Sequence, residues 1–214
     1  MKRFFSVALL LTATMITQAQ IDFSDLRIEL AGNYTQYKGD FQQSTPGVKL
    51  RFSVPVTEKA RVGLSYTHGF PIKEASSVSL SPSGSAASEI VYNFKTITLD
   101  GQYMFGEEKF NGFSAYGTLG AGLVLVKYEE KLKSSLPAGT TAIDQAPKES
   151  VNGFSLNFCL GAQYSFGKPK AFAEAVFALP ANKVNEQYVT NPIPTHLIFN
   201  VGVRFALGSG GSDD

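Results

Sequence analysis

The sequence predicts an all-β protein, an eight-stranded antiparallel up-and-down transmembrane β-barrel. Three observations carry this expectation: runs in which apolar and polar side chains alternate with a period of two, links between those runs that are alternately short and long, and apolar rows about as long as a tilted strand needs to cross a bilayer. The run VNGFSLNFCLGAQYSF, residues 151–166, shows the pattern most clearly. Phe154, Leu156, Phe158, Leu160, Ala162, Tyr164 and Phe166 share one parity, and Gly153, Ser155, Asn157, Cys159, Gly161, Gln163 and Ser165 share the other.

The first nineteen residues have the form of a secretory signal peptide, with Lys2 and Arg3 ahead of an apolar run from Phe4 to about Leu11 and a small-residue exit that puts cleavage after Ala19. The expected organisation is a signal peptide at 1–19, a barrel at 20–207 and a flexible tail at 208–214. The first strand covers residues 26–37, with Leu26, Ile28, Leu30, Gly32 and Tyr34 opposing Arg27, Glu29, Asn33 and Thr35. The second covers 47–56, where Val48, Leu50, Phe52, Val54 and Val56 oppose Lys49, Arg51, Ser53 and Pro55, and the third covers 60–70, with Val62, Leu64 and Tyr66 against Arg61, Gly63, Ser65 and Thr67. In the fourth, about 90–105, the phase of Ile90, Tyr92 and Phe94 differs from that of Ile97, Leu99 and Tyr103, which calls for a bulge or a strand extension near 94–96. The fifth is the Gly-rich stretch from about Phe113 to Lys127, the sixth is 151–166, the seventh is AFAEAVFAL and the eighth THLIFNVGVRFAL.

Residues 57–59, 106–109 and 167–170 read as tight turns, whereas 38–46, 71–89, 128–150 and 180–194 read as longer polar loops. Strict alternation gathers the turns at one end of a barrel and the loops at the other, as in bacterial barrels with periplasmic turns and extracellular loops.

Alternation alone does not say which face meets lipid. The lumen of so small a barrel is narrow and filled by side chains, which suits the polar parity, where Gly63, Ser65, Gly120, Gly122, Ser155 and Gly161 lie among Arg51, Arg61, Asp100, Glu174 and Arg204. The Phe and Leu rows then face lipid. Tyr103, Phe105, Phe113, Tyr164, Phe166 and Phe205 gather at the turn end as an interfacial aromatic girdle, and Tyr34, Tyr66, Phe70 and Tyr92 gather toward the other end.

Composition agrees with this reading. Charged residues are 17% of the 214, against roughly 25% in an average soluble domain, while the chain holds 17 Phe, 9 Tyr and 20 Gly. Formal charge is +1, and without Lys2 and Arg3 it stands near −1, so no nucleic-acid binding follows. The single cysteine, Cys159, leaves no internal disulfide to form.

AYGTLGAGL in the fifth strand, FAEAVFAL in the seventh and FNVGVRFAL in the eighth give the chain its resemblance to the small outer-membrane β-barrel proteins of the OmpX, OmpW and OmpA-barrel type, in the porin-like branch common among Bacteroidetes-type bacteria. The resemblance implies a monomer in the outer membrane, with outer-membrane lipid, lipopolysaccharide and the barrel assembly machinery as partners. It departs from the family at the C-terminus, where ALGSGGSDD follows Phe205, the aromatic that the assembly machinery would read.

The candidate site is a lumen charge network of Arg27, Glu29, Arg51, Arg61, Asp100, Glu174 and Arg204. Enclosed charges have to be paired. Glu174 and Arg204 are expected as cross-strand neighbours, with Glu29 beside them through closure of the barrel. A structural plug is the first reading of the network, and a narrow channel for small or hydrophobic solutes is the second. Catalysis is not expected: His68 falls on the apolar parity, and His196, at the loop end, stands about six residues, or ~20 Å, from Glu174. No spacing suggests a metal or a cofactor. Loops 71–89 and 128–150 are the expected places for a surface ligand.

Overall fold

Ten strands form in the computed structural model, which describes residues 25–38, 42–82, 84–181 and 193–207. The leader and the tail after Leu207 lie outside the described residues. In chain order the strands are β1 (Arg27–Tyr37), β2 (Ser44–Pro55), β3 (Ala60–Gly69), β4 (Ile72–Ser81), β5 (Ser85–Met104), β6 (Asn111–Leu132), β7 (Thr141–Ala142), β8 (Glu149–Phe166), β9 (Lys170–Pro180) and β10 (His196–Ala206).

Eight of them are barrel staves. They run β3-β2-β1-β10-β9-β8-β6-β5, every neighbour antiparallel, and β3 pairs with β5 to close the sheet on itself. Closure leaves no open edge, so the backbone groups along every stave find partners without water. The turns at one end are tight. Between β2 and β3 the Thr57 hydroxyl accepts from the amides of Lys59 at 3.3 Å and Ala60 at 3.0 Å. Between β8 and β9 the chain reverses through Gly167, whose φ of 91° is a conformation that a side chain would oppose.

The expected loop at 71–89 is corrected: its serines are strand, because β4 and the upper half of β5 form a hairpin from Ile72↔Tyr92 to Ser79↔Ser85. The expected loop at 128–150 is likewise shorter, since β6 continues to Leu132 and β8 begins at Glu149. Small hydroxyl residues permit a strand wherever a neighbour supplies the ladder, and here β5 supplies it to β4 while β6 supplies it to β5 from Ser88 onward. The result is a β4-β5-β6 sheet standing above the barrel, with β7 against the tip of β4. Of the two expectations for residues 94–96, the extension forms: β5 pairs with β6 without interruption from Ser88↔Leu132 to Met104↔Tyr116.

Side-chain direction answers the question left by periodicity. Phe154, Leu160 and Phe166 are 57, 68 and 64% exposed, while Ser155, Gln163 and Ser165 on the same strand are buried. The same inversion holds around the wall, with Leu64, Leu99, Leu119, Phe177, Phe199 and Val201 all pointing outward. No charged side chain occupies an outward position between Tyr103 and Ile97 on β5 or between Phe166 and Phe154 on β8. Water would penalise such a surface at roughly 25 cal/mol per Å², whereas hydrocarbon would not. Tyr103, Phe105, Phe113, Tyr164, Phe166 and Phe205 all stand exposed at the turn end of this belt. Tyr92 is the exception to the second aromatic group, because it turns into the lumen and is buried. With the extension unbulged, Tyr92 and Phe94 keep the inward parity of Thr98 and Asp100.

Candidate functional site

The lumen is filled in three layers. At mid-height Glu29 on β1 stands directly opposite Arg51 on β2 and Arg204 on β10 in the strand register. Its Oε1 lies 2.5 Å from Arg51 Nη1 and 2.9 Å from Arg204 Nε. Arg51 also reaches across β3 to Asp100 on β5, donating from Nε at 3.0 Å, and its Nη1 donates to Gln102 at 2.9 Å. The reach depends on Gly63, the β3 residue between them, since a Cβ there would sit 2.5 Å from Arg51 Nε. Just above, Lys49 pairs with Glu174, which also accepts from Asn200 Nδ2 at 2.9 Å and from the Tyr116 hydroxyl at 3.0 Å. Tyr116 leans over Gly161 in the same way, with space that a Cβ would close to 2.3 Å. Arg204 lies between the rings of Tyr116 and Phe172, 4.9 Å from each centroid, and donates to Gln163. Three carboxylates, Glu29, Asp100 and Glu174, thus face three cations, Lys49, Arg51 and Arg204.

The second layer closes the turn end. Glu108, from the turn between β5 and β6, folds back beneath the barrel and meets Arg27 at 2.6 Å and Lys170 at 2.6 Å, while Gln163 donates to it at 2.8 Å. Asp25, ahead of β1, joins Arg27 at 3.2 Å and Arg61 at 2.7 Å. Burial alone would raise the Glu108 carboxyl, but the hydrogen bond and charge of Arg27, and then those of Lys170, hold it well below the ordinary carboxylate range.

The third layer is apolar. Tyr37, Ile72, Tyr92, Phe94, Val124, Val126, Tyr128, Val151 and Ile193 form one buried cluster inside the loop end. Tyr37 stacks on Phe94 with ring centroids 4.5 Å apart, and His196 tilts against Tyr37 at 5.4 Å. Above it Glu130 accepts from Ser88 Oγ at 2.5 Å and from the Ala146 amide at 2.9 Å, which holds the segment after β6 against the inner face of the projecting sheet. A cavity of about 40 Å³ lies between the apolar cluster and the mid-height ion pairs, with Lys49, Glu174, Asn200 and His196 among its walls.

All seven residues of the expected network are buried in the lumen, divided between the lower layer (Arg27, Arg61) and the upper pairs (Glu29, Arg51, Asp100, Glu174, Arg204). One expected contact is corrected. Glu174 faces Asn200, and Arg204 faces Lys170 four positions below, so Glu174 and Arg204 are not cross-strand neighbours. Lys49 is missing from the expected set although it shares Arg51's parity, and parity would have found it. Asp25, Glu108 and Lys170 lie at strand ends, where no periodicity assigns a face. His196 pairs with Ala178, four positions above Glu174, its Nδ1 2.9 Å from the Pro194 carbonyl oxygen, and His68 points to the outer surface. Among the described residues no group of three or more His, Cys, Asp or Glu side chains is placed to hold a metal ion.

No protein-family model matches the chain, and no curated protein matches its sequence. Its fold has close company among solved structures. The N-terminal β-barrel domain of Pseudomonas aeruginosa OprF superposes with a TM-score of 0.53 at 14% identity, over 85% of this chain and 97% of that one. Ail, the attachment invasion locus protein of Yersinia pestis, gives 0.52 at 14% identity over 86% and 98%, and neisserial surface protein A gives 0.52 at 16% identity over 84% and 96%. At this identity the likeness is one of architecture: the chain folds as a closed, eight-stranded antiparallel β-barrel of the kind these outer-membrane proteins share.

Proposed function

We propose that the protein is a non-conducting, non-catalytic outer-membrane barrel whose work is done at the cell surface, with the barrel serving as the anchor of the projecting β4-β5-β6 sheet. The observation that carries this reading is the filling of the lumen, in series, by the Glu108 layer, the Glu29–Arg51–Asp100 layer and the aromatic cluster around Phe94. The cavity between them, about 40 Å³, is of a size for water rather than for a solute. The apolar belt and the solved barrels of like fold support the outer membrane as the location, reached with a cleaved signal peptide. Lipid and the barrel assembly machinery are the partners that this location brings.

The test is single-channel recording of the protein refolded into planar bilayers, after heat-modifiable gel migration has shown that the barrel is folded. The expected result for the native chain is silence. The double substitution Asp100→Ala and Glu174→Ala takes from Lys49 its carboxylate and leaves Arg51 with Glu29 alone, and is expected to lower the melting temperature and raise conductance. Discrete openings of the native barrel would overturn this reading in favour of a narrow porin-like channel for small or hydrophobic solutes.

A further inference from the structure

Above the apolar belt the outer wall is not uniform. On β1 the outward positions at this height are Tyr34 and Gln36, on β9 Leu179 and on β10 Leu197, none of them charged. On β5 and β6 they are Lys95 and Lys127. The register sets Lys95 opposite Leu125 and Lys127 opposite Asn93, so the two lysines are diagonal neighbours, roughly 7–8 Å apart at the backbone. His68 on β3 stands opposite Lys95, and its Nδ1 has no hydrogen-bond partner.

What separates this pair from the other lysines and arginines of the described strands is the lack of a counter-ion. Higher on the same face Lys73 pairs with Glu89 at 3.0 Å, and Lys131 and Lys148 share Glu129 at 2.5 and 3.6 Å. Inside the barrel Arg27, Lys49, Arg51, Arg61, Lys170 and Arg204 are each paired with a carboxylate. Lys95 and Lys127 have no carboxylate within ion-pair distance among the described residues. Directly beneath them the wall turns apolar at once, through Ile97, Leu123 and Phe154.

We infer that Lys95 and Lys127 hold a phosphoryl group of an anionic lipid in the outer leaflet. Ammonium groups are compact point charges suited to phosphate oxygens, and two of them on one side of an apolar belt lie at the depth where headgroups sit. A lipid suits the position better than dissolved phosphate because its acyl chains run down Ile97, Leu123 and Phe154 while its headgroup meets the lysines. Asn93, opposite Lys127 and two positions from Lys95 on the same face of β5, adds a donor. The inference rests on the proposed membrane location and adds to it one specific lipid contact at the base of the projecting sheet.

The experiment uses the full chain folded in detergent micelles and titrated with bisphosphorylated lipid A, with phosphatidylcholine and inorganic phosphate as separate arms. Native mass spectrometry reads the lipid retained on the folded barrel. The expected result is retention of lipid A and not of phosphatidylcholine or phosphate, at least a tenfold weaker retention by K95Q/K127Q, and unchanged retention by K73Q/K131Q, whose lysines already have acidic partners. Both double variants change outward side chains only, and heat-modifiable migration checks that each is folded. Equal retention by K95Q/K127Q and the native chain overturns the inference, as does inorganic phosphate competing on equal terms with lipid A. Failure of the native chain to form a heat-modifiable barrel would instead defeat the membrane reading beneath it.

Discussion

Glu29 is the residue on which the lumen turns. It is 1% exposed, and its carboxylate is shared by two guanidiniums that are themselves almost wholly buried. Glu29→Gln keeps the shape and removes the charge, so Arg51 retains Asp100 while Arg204 loses its only ion-pair partner among the described residues. Uncompensated buried charge of this kind costs about 3–5 kcal/mol. The expected outcome is a barrel that still folds but loses its heat-resistant gel migration at a clearly lower temperature, and an unchanged transition would show that the carboxylate is dispensable. The seven network residues were legible one by one, because parity places polar side chains on the lumen face. Their partners were not. Which carboxylate meets which cation depends on register and on side chains that straddle a glycine, as Arg51 does at Gly63.

The elements divide into staves and superstructure. β1 and β10 are 11 residues each, whereas β5 has 20 and β6 has 22, and the surplus stands above the barrel. Closure of the barrel uses only the lower part of β5, from Lys95 to Tyr103, against β3. The upper hairpin therefore contributes little to closure. Replacing residues 76–87 with a short turn is expected to leave the barrel's melting temperature within a few degrees of native while abolishing whatever surface binding the sheet supports. Collapse of the barrel on truncation, read by gel migration, would show instead that the sheet is part of the folding core. The hairpin was missed in the sequence for a physical reason: strand propensity on an exposed sheet is set by what lies alongside, and a Ser-rich segment has little preference of its own.

For the whole molecule the governing feature is inversion, with apolar side chains outside and a stack of paired charges within. Ion pairs make such a barrel sensitive to acid. Glu108 is held below the ordinary carboxylate value of about 4.3, so it stabilises the fold above that pH, and the contribution is lost as pH falls through its folded value. Acid titration of the refolded protein is expected to show stability falling below about pH 4, and Glu108→Gln to flatten that fall while starting from lower stability at neutral pH. Parallel profiles for the two proteins would remove Glu108 from the lower seal. Asp25, also depressed once the guanidinium of Arg61 outweighs its burial, contributes with the same sign.

The sequence by itself determined the architecture: a period of two in eight runs, with short and long links alternating, leaves an up-and-down barrel as the arrangement that satisfies every backbone group. It also determined which parity faces outward, since Phe and Leu at positions such as Phe154, Leu160 and Phe166 have no room in a narrow lumen. Only the tertiary structure decided that the lumen side chains stack in three layers, that Tyr92 and Phe94 belong to the apolar one, and that Glu108 folds in at the turn end. Those facts depend on register, on strand extension past the membrane and on turns that fold back. Each is set by contacts between residues distant in sequence, and local periodicity carries no record of them.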